Sequence, residues 1–196
     1  MCARLAIILF FTAEAPGFTY TEFLHGLNTS IAEFYNTTEP IWTYEAMVDS
    51  KTNVSCLVDM TTYTTWRYLY FERFFYSNGT RFNFQLRRLL DRRHMDETLV
   101  FDAAKPIYVP QNPLFQEELL YQSEDKRCGV FKYFQHPDVI RYDLRIWNCS
   151  IAAGPEKNCS EYFHEVHKHH RPFVVLQKRR IYNHSCQSIL KPPRGC

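Results

Sequence analysis

Side chains able to do chemistry are unevenly spread along this chain of 196 residues. His164-Glu-Val-His167-Lys-His169-His170 gathers imidazoles and a carboxylate, the donor types that hold zinc. Its first two histidines stand three apart, whereas a zinc-peptidase helix needs His-Glu-x-x-His with four, so the segment is read as a solvated helix with no metal. No Gly-x-Ser-x-Gly elbow, phosphate loop or dinucleotide fingerprint occurs. Neither catalysis nor a cofactor is therefore expected. Arg73 and the alternating set Asp143, Arg145 and Trp147 are different, because they sit in aromatic, strand-like surroundings. An acid and a base adjacent on one strand face either neutralise each other in the core or contact a ligand. Lys178-Arg-Arg180 is a short basic cluster, read as solvated surface.

The element that must position Arg73 is the stretch Tyr63 to Leu86. Two aromatic and β-branched runs flank Asn78-Gly79, a pair that suits the positive φ angles of a type I′ turn. With Ser77 opposite Thr80, the residues Phe71, Arg73 and Phe75 share a face with Phe82, Phe84 and Leu86. Tyr68, Tyr70, Glu72 and Phe74 lie on the other face. If the first face looks into a cavity, Arg73 can pair with the carboxylate of an eicosanoid or fatty acid. If the faces are swapped, Glu72 looks inward and a cationic ligand is favoured. The two orientations predict opposite ligand charges.

Composition narrows the class. With 45% hydrophobic and 16% aromatic residues the chain can bury a full core, and its net charge of +2 provides no strong field for nucleic acid. Residues 1–17 carry an apolar run from Leu5 to Phe11 and a small-x-small site at Ala13-Glu14-Ala15, so they are expected to be a secretory signal peptide, with residues 18–196 forming a single domain. The run is too short to span a bilayer. Without Cys2, six cysteines remain: Cys56, Cys128, Cys149, Cys159, Cys186 and Cys196. An even number in a secreted chain implies three disulfides, among fifteen pairings. Asn28, Asn36, Asn53, Asn78 and Asn183 open glycosylation sequons; Asn148 and Asn158 also do, but each is followed by a cysteine.

Taken in order, Tyr20 to Tyr35 has the spacing of short amphipathic helical turns. Strands are predicted at Pro40 to Tyr44, Asn53 to Met60, the two arms of the hairpin, Thr98 to Phe101 and Ile107 to Val109. They continue with one long bent strand from Glu118 to Tyr133 and an eighth from Val139 to Trp147. Arg87 to Glu97 is a charged connector. Eight sequential strands with short connections suit a small antiparallel up-and-down barrel. A helix capped by Ser160 runs to about His170 and ends before Pro172, and Phe173 to Gln177 is extended.

Glu-Pro-Ile-Trp-Thr-Tyr (39 to 44), Cys56-Leu-Val-Asp, the strand from Leu119 to Val130, Tyr-Asp-Leu-Arg-Ile-Trp (142 to 147) and the Cys159 helix together resemble the tick salivary lipocalins, the tick histamine-binding protein family. The resemblance covers essentially the whole mature chain. It implies an all-β, eight-stranded lipocalin barrel with an internal cavity, a helix packed outside it, and the disulfides Cys56 to Cys186, Cys128 to Cys159 and Cys149 to Cys196. It also implies a secreted monomer that sequesters small host inflammatory mediators in evasion of host defence, with a biogenic amine such as histamine or serotonin as the default ligand. Leukotriene or fatty-acid lipids are the first alternative, and inhibition of a host plasma protein through the outer surface is the second. The amine-binding pattern of the family is altered twice. Gly129 replaces an Asp, and Asp143-Leu144-Arg145 replaces Glu-Leu-aromatic. The second change puts a cation where a ring would hold an ammonium group. Expected ligand-facing residues are Trp42, Phe71, Arg73, Phe82, Phe84, Tyr108, Phe131, Asp143, Arg145 and Trp147.

Overall fold

Strand alternation closes this chain on itself. The computed structural model describes residues 29–49, 53–90, 96–100, 115–135, 139–169, 175–192 and 196. A short helix α1 (Ile31–Phe34) precedes strands β1 (Ile41–Val48), β2 (Val54–Thr64), β3 (Tyr68–Ser77) and β4 (Thr80–Leu89). Next come β5 (Asp96–Val100), β6 (Phe115–Gln122), β7 (Cys128–Gln135) and β8 (Val139–Trp147). Helix α2 (Lys157–His169), β9 (Gln177–Arg180) and a 3-10 segment (His184–Ile189) complete the described chain. Strands β2 through β8 pair antiparallel in chain order, β8 pairs with β1, and β1 returns to β2 through Ile41↔Asp59 and Trp42↔Val58. The result is a lipocalin-type barrel of eight antiparallel strands. Where β1 and β2 diverge, β9 takes the vacant edge of β1, from Glu45↔Arg180 to Val48↔Gln177.

The β3–β4 hairpin has the expected register, Ser77↔Thr80 through Tyr68↔Leu89. Asn78 and Gly79 both have positive φ, 50° and 77°. Arg73 faces inward and is buried, while Phe74 on the opposite face is also buried, because the C-terminal tail covers it. The outer surface is thus half wet only in part. The tail covers Val58, Phe74 and Trp42 with Tyr182, Ile189 and Leu190, and α2 covers Tyr142, Leu144 and Ile146 with Phe163 and Val166.

Several sequence expectations are corrected. Glu118 to Tyr133 is not one bent strand but β6 and β7, joined by a turn in which Lys126 adopts φ 62°. Helix α2 starts at Lys157, so Ser160 is inside its first turns, donating its N–H to the Glu156 carbonyl at 2.9 Å. Extended structure near the end falls on Gln177–Arg180. The predicted strand Ile107 to Val109, the N-terminal turns before residue 29, the signal segment and Asn28 lie outside the described residues. All three disulfides form with the pairing the resemblance implied, Cys56–Cys186, Cys128–Cys159 and Cys149–Cys196. They tie the barrel to the tail, to α2 and to the last residue. No helix among the described residues is long and apolar enough to cross a membrane.

Candidate functional site

Three zones divide the barrel interior. At the end reached by α1, Phe34 and Tyr35 enter among Ile41, Leu69, Phe71, Leu86, Leu119 and Phe131 and leave no exposed surface of their own. Phe34 meets Phe131 edge to face at 5.1 Å, and the Trp147 indole donates to the Phe34 carbonyl at 3.1 Å. This end of the cup is filled by the chain itself. Gly129 makes the filling possible, since a Cβ there would lie 2.8 Å from Phe34 and 3.1 Å from Leu119. Gly129→Ala should therefore cost about 1–3 kcal/mol through overpacking. In a Phe34→Ala background most of that cost should vanish. Urea denaturation of the four-member cycle measures it, and additive losses would show that the two positions do not collide.

The middle zone is ionic. Arg73 grips Asp59 with Nε to Oδ1 and Nη2 to Oδ2, both at 2.7 Å, and reaches Glu117 at 3.1 Å. Arg145 holds Glu117 through Nη1 at 2.9 Å and Nη2 at 3.0 Å, and touches Asp143 at 2.8 Å. Arg88 donates to the second Glu117 oxygen, and its guanidinium lies over the Tyr35 ring at 4.8 Å. The Tyr35 hydroxyl donates to Asp59 at 2.8 Å and accepts from Arg145 at 2.7 Å. Burial raises the Asp59 and Glu117 carboxyls, but the guanidiniums outweigh it and hold both below their ordinary range, Glu117 far below. Burial would lower Arg73 and Arg145, but their carboxylate partners reverse the sign and keep both charged. Desolvation pushes the Tyr35 phenol up to about 12, so it stays a neutral bridge.

The third zone is a pocket of about 220 Å³ at the end carrying the β3–β4 turn. Leu57, Phe75, Phe84 and Leu86 provide its apolar wall, and Arg73, Tyr133 and Arg141 its polar groups. Phe75 stacks on Phe82 and Phe84 at 5.4 and 5.8 Å, and the latter two are 38% and 39% exposed. They form a lip. Arg141 lies over Tyr133 at 4.6 Å and against Asp143, with Nε–Oδ1 and Nη2–Oδ2 both 2.9 Å. Its side chain keeps 17% exposure, the most of the inward arginines in these ion pairs.

The expected ligand-facing residues therefore separate. Arg73 and Phe84 border the pocket, with Phe82 beside them at the lip. Phe71, Phe131 and Trp147 pack at or against the filled end. Asp143 and Arg145 form a core ion pair, the bland alternative left open by the sequence. Trp42 is corrected: it lies outside the barrel wall, edge to face with Tyr182 at 5.1 Å and donating to Asn148 at 2.8 Å. Tyr108 lies outside the described residues. Sequence reasoning missed Asp59, Glu117, Arg88, Tyr35 and Arg141. Arg88 was accessible in principle, because it continues the inward alternation two places after Leu86. Asn36, Asn53, Asn78 and Asn183 are exposed, whereas Asn148 is buried. Among the described residues no cluster of three metal-ligating side chains occurs.

A barrel of eight antiparallel strands with a lipped pocket at one end defines the lipocalin fold class. Among solved structures, a serotonin complex of the protein AM182 is similar with TM-score 0.53 and 14% identity, covering 79% of this chain and 91% of that one. Japanin from Rhipicephalus appendiculatus bound to cholesterol aligns with TM-score 0.47 and 9% identity, covering 75% of this chain and 95% of that one. At such identities the likeness is one of fold. No protein-family model matches the chain, and no curated protein sequence does.

Proposed function

We propose that this chain is a secreted, monomeric lipocalin of the tick salivary type, a single domain over residues 18–196, which sequesters a small amphipathic mediator by stoichiometric binding without turnover. The observation that carries this reading is the pocket itself, an apolar wall and aromatic lip converging on Arg73 and Arg141. Three linked cystines and exposed sequons at Asn36, Asn53, Asn78 and Asn183 support secretion and glycosylation.

An amine is the default of the resembling family, and a serotonin-bound protein shares the fold. The charges here favour the rival. Each of the inward carboxylates Asp59, Glu117 and Asp143 is already held by arginine. Two guanidiniums, by contrast, border the pocket itself, those of Arg73 and Arg141, and the Arg141 side chain keeps 17% exposure. A leukotriene-like or fatty-acid carboxylate placed at Arg141 would meet a guanidinium able to donate to it, whereas an ammonium would meet like charge there.

Calorimetric titration with arachidonate, histamine and serotonin tests the reading. The acid should bind at one site and more tightly than either amine. Arg141→Ala should weaken the acid by roughly 10- to 100-fold, as for loss of a charged hydrogen bond. Tight amine binding that ignores Arg141 would reverse the assignment of ligand charge. Silence with all three ligands, together with retention of a host plasma protein, would favour an inhibitor acting through its outer surface.

A further inference from the structure

Arg141 stands between the mouth pocket and a second, smaller space. Val54, Leu57 and Arg141 border both, whereas Thr43, Ala46, Asp143 and Ile181 border only the smaller one, a void of about 10 Å³. Its place follows from an irregularity in β1. The β1–β8 register shifts between Thr43↔Arg145 and Glu45↔Leu144, so Thr43 and Ala46 both look inward where strict alternation would put them on opposite faces. A bulge thus sets a hydroxyl beside the void. The residues lining it carry three buried polar atoms with no hydrogen-bond partner among the described residues: Thr43 Oγ1, Arg141 Nε and Asp143 Oδ1. Thr43 is 1% exposed and Asp143 fully buried. Arg141 Nε lies 2.9 Å from that same Oδ1, but its N–H is not directed at it. Buried donors and acceptors of this kind cost free energy unless something small bridges them.

We infer that Thr43 is a positioning residue for the guanidinium of Arg141, acting through one water molecule held in this void. The void has the size of a single water, and a buried water needs roughly two to four polar partners. Arg141 Nε can only donate, ionised Asp143 Oδ1 can only accept, and the Thr43 hydroxyl does either. The bridge must therefore both accept and donate. Water does, whereas a halide would face the carboxylate and a metal cation the guanidinium. With Nη2 on Asp143 at 2.9 Å and Nε on the water, the guanidinium is held at two points and Nη1 is left to meet a guest carboxylate. Without the second hold, a side chain that keeps 17% exposure can swing toward solvent. The consequence for ligand affinity rests on the pocket reading above; the water itself rests on the void and its three polar atoms.

Two variants of the intact mature protein test the inference: Thr43→Val keeps the side-chain shape and removes the hydroxyl, and Thr43→Ser keeps the hydroxyl. In nitrogen-15-labelled parent, the Arg141 Nε–H signal, assigned by its loss in Arg141→Lys, should show a dipolar cross-peak to a long-lived water. Thr43→Ser should retain that cross-peak and Thr43→Val should lose it. Urea unfolding adds a check of sign. Removing a hydroxyl bonded to water should lower the Thr43→Val midpoint, whereas removing a dry, orphaned one would raise it. Arachidonate should bind Thr43→Val roughly three- to tenfold more weakly than the parent, and Thr43→Ser within about twofold of it. A parent without the water cross-peak, or a Thr43→Val protein with a raised midpoint or parental arachidonate affinity, would overturn the inference. If the parent shows the cross-peak and Thr43→Val lowers the midpoint, but arachidonate binds neither, the water and its hold on Arg141 stand and the pocket reading alone fails.

Discussion

Glu117→Gln should destabilise the fold by about 3–5 kcal/mol, the typical loss when one member of a buried ionic group is removed and its partners stay charged. Glu117 is fully buried and contacts Arg73, Arg88 and Arg145, so the substitution leaves three guanidiniums sharing the remaining acids in a dry interior. Against a typical total stability of about 5–15 kcal/mol, such a loss leaves a marginal protein. Urea unfolding at neutral pH measures it, with Glu124→Gln on the exposed β6–β7 turn expected to stay within about 0.5 kcal/mol. A loss for Glu117→Gln no larger than that control would contradict the view that the cluster organises the interior. The same cluster sets the acid limb. Asp59 and Glu117 ionise more readily folded than unfolded, so the unfolded chain binds more protons at low pH. Their contribution is complete above their ordinary values of 3.8 and 4.5 and is lost as the pH falls below that range. Glu117→Gln should flatten this limb.

The second large effect concerns Cys56–Cys186, which closes the longest loop in the chain, a separation of 130 residues against 31 for Cys128–Cys159. Chain-entropy reasoning gives about 5 kcal/mol for the first and about 1 kcal/mol less for the second. Replacing Cys56 and Cys186 together by alanine should therefore cost more than replacing Cys128 and Cys159. It should also loosen the tail that covers Trp42, shifting tryptophan emission to longer wavelength before global unfolding. If emission and far-ultraviolet signals instead moved together, the tail would be part of the same cooperative unit as the barrel.

Much of the scaffold was legible because local signals agreed with it. Asn78-Gly79 set the hairpin register, and two-residue alternation then grouped Arg73 with Phe71, Phe84 and Leu86 while leaving open which face looks inward. The boundary between β6 and β7 escaped because Ser123 to Arg127 contains neither glycine nor proline, and Lys126 takes the positive φ that glycine would advertise. Trp42 was misplaced for a different reason. Alternation separates two faces but does not say which is wet, and the outer face here is as dry as the inner one where the tail crosses it. The ion cluster had no local signature, since Asp59, Arg73, Arg88, Glu117 and Asp143 come from different strands. Only closure of the barrel brings them together. The cystine pairing came from family resemblance, not from spacing.

The lip of Phe82 and Phe84 lies outward of Arg73 and Arg141, so an acidic guest would enter head first and shed its hydration shell at the threshold. Its hydrocarbon end would trail toward solvent. Chain length would then matter little to affinity, and a bulky dye or affinity label attached at the far terminus of such a guest would be tolerated.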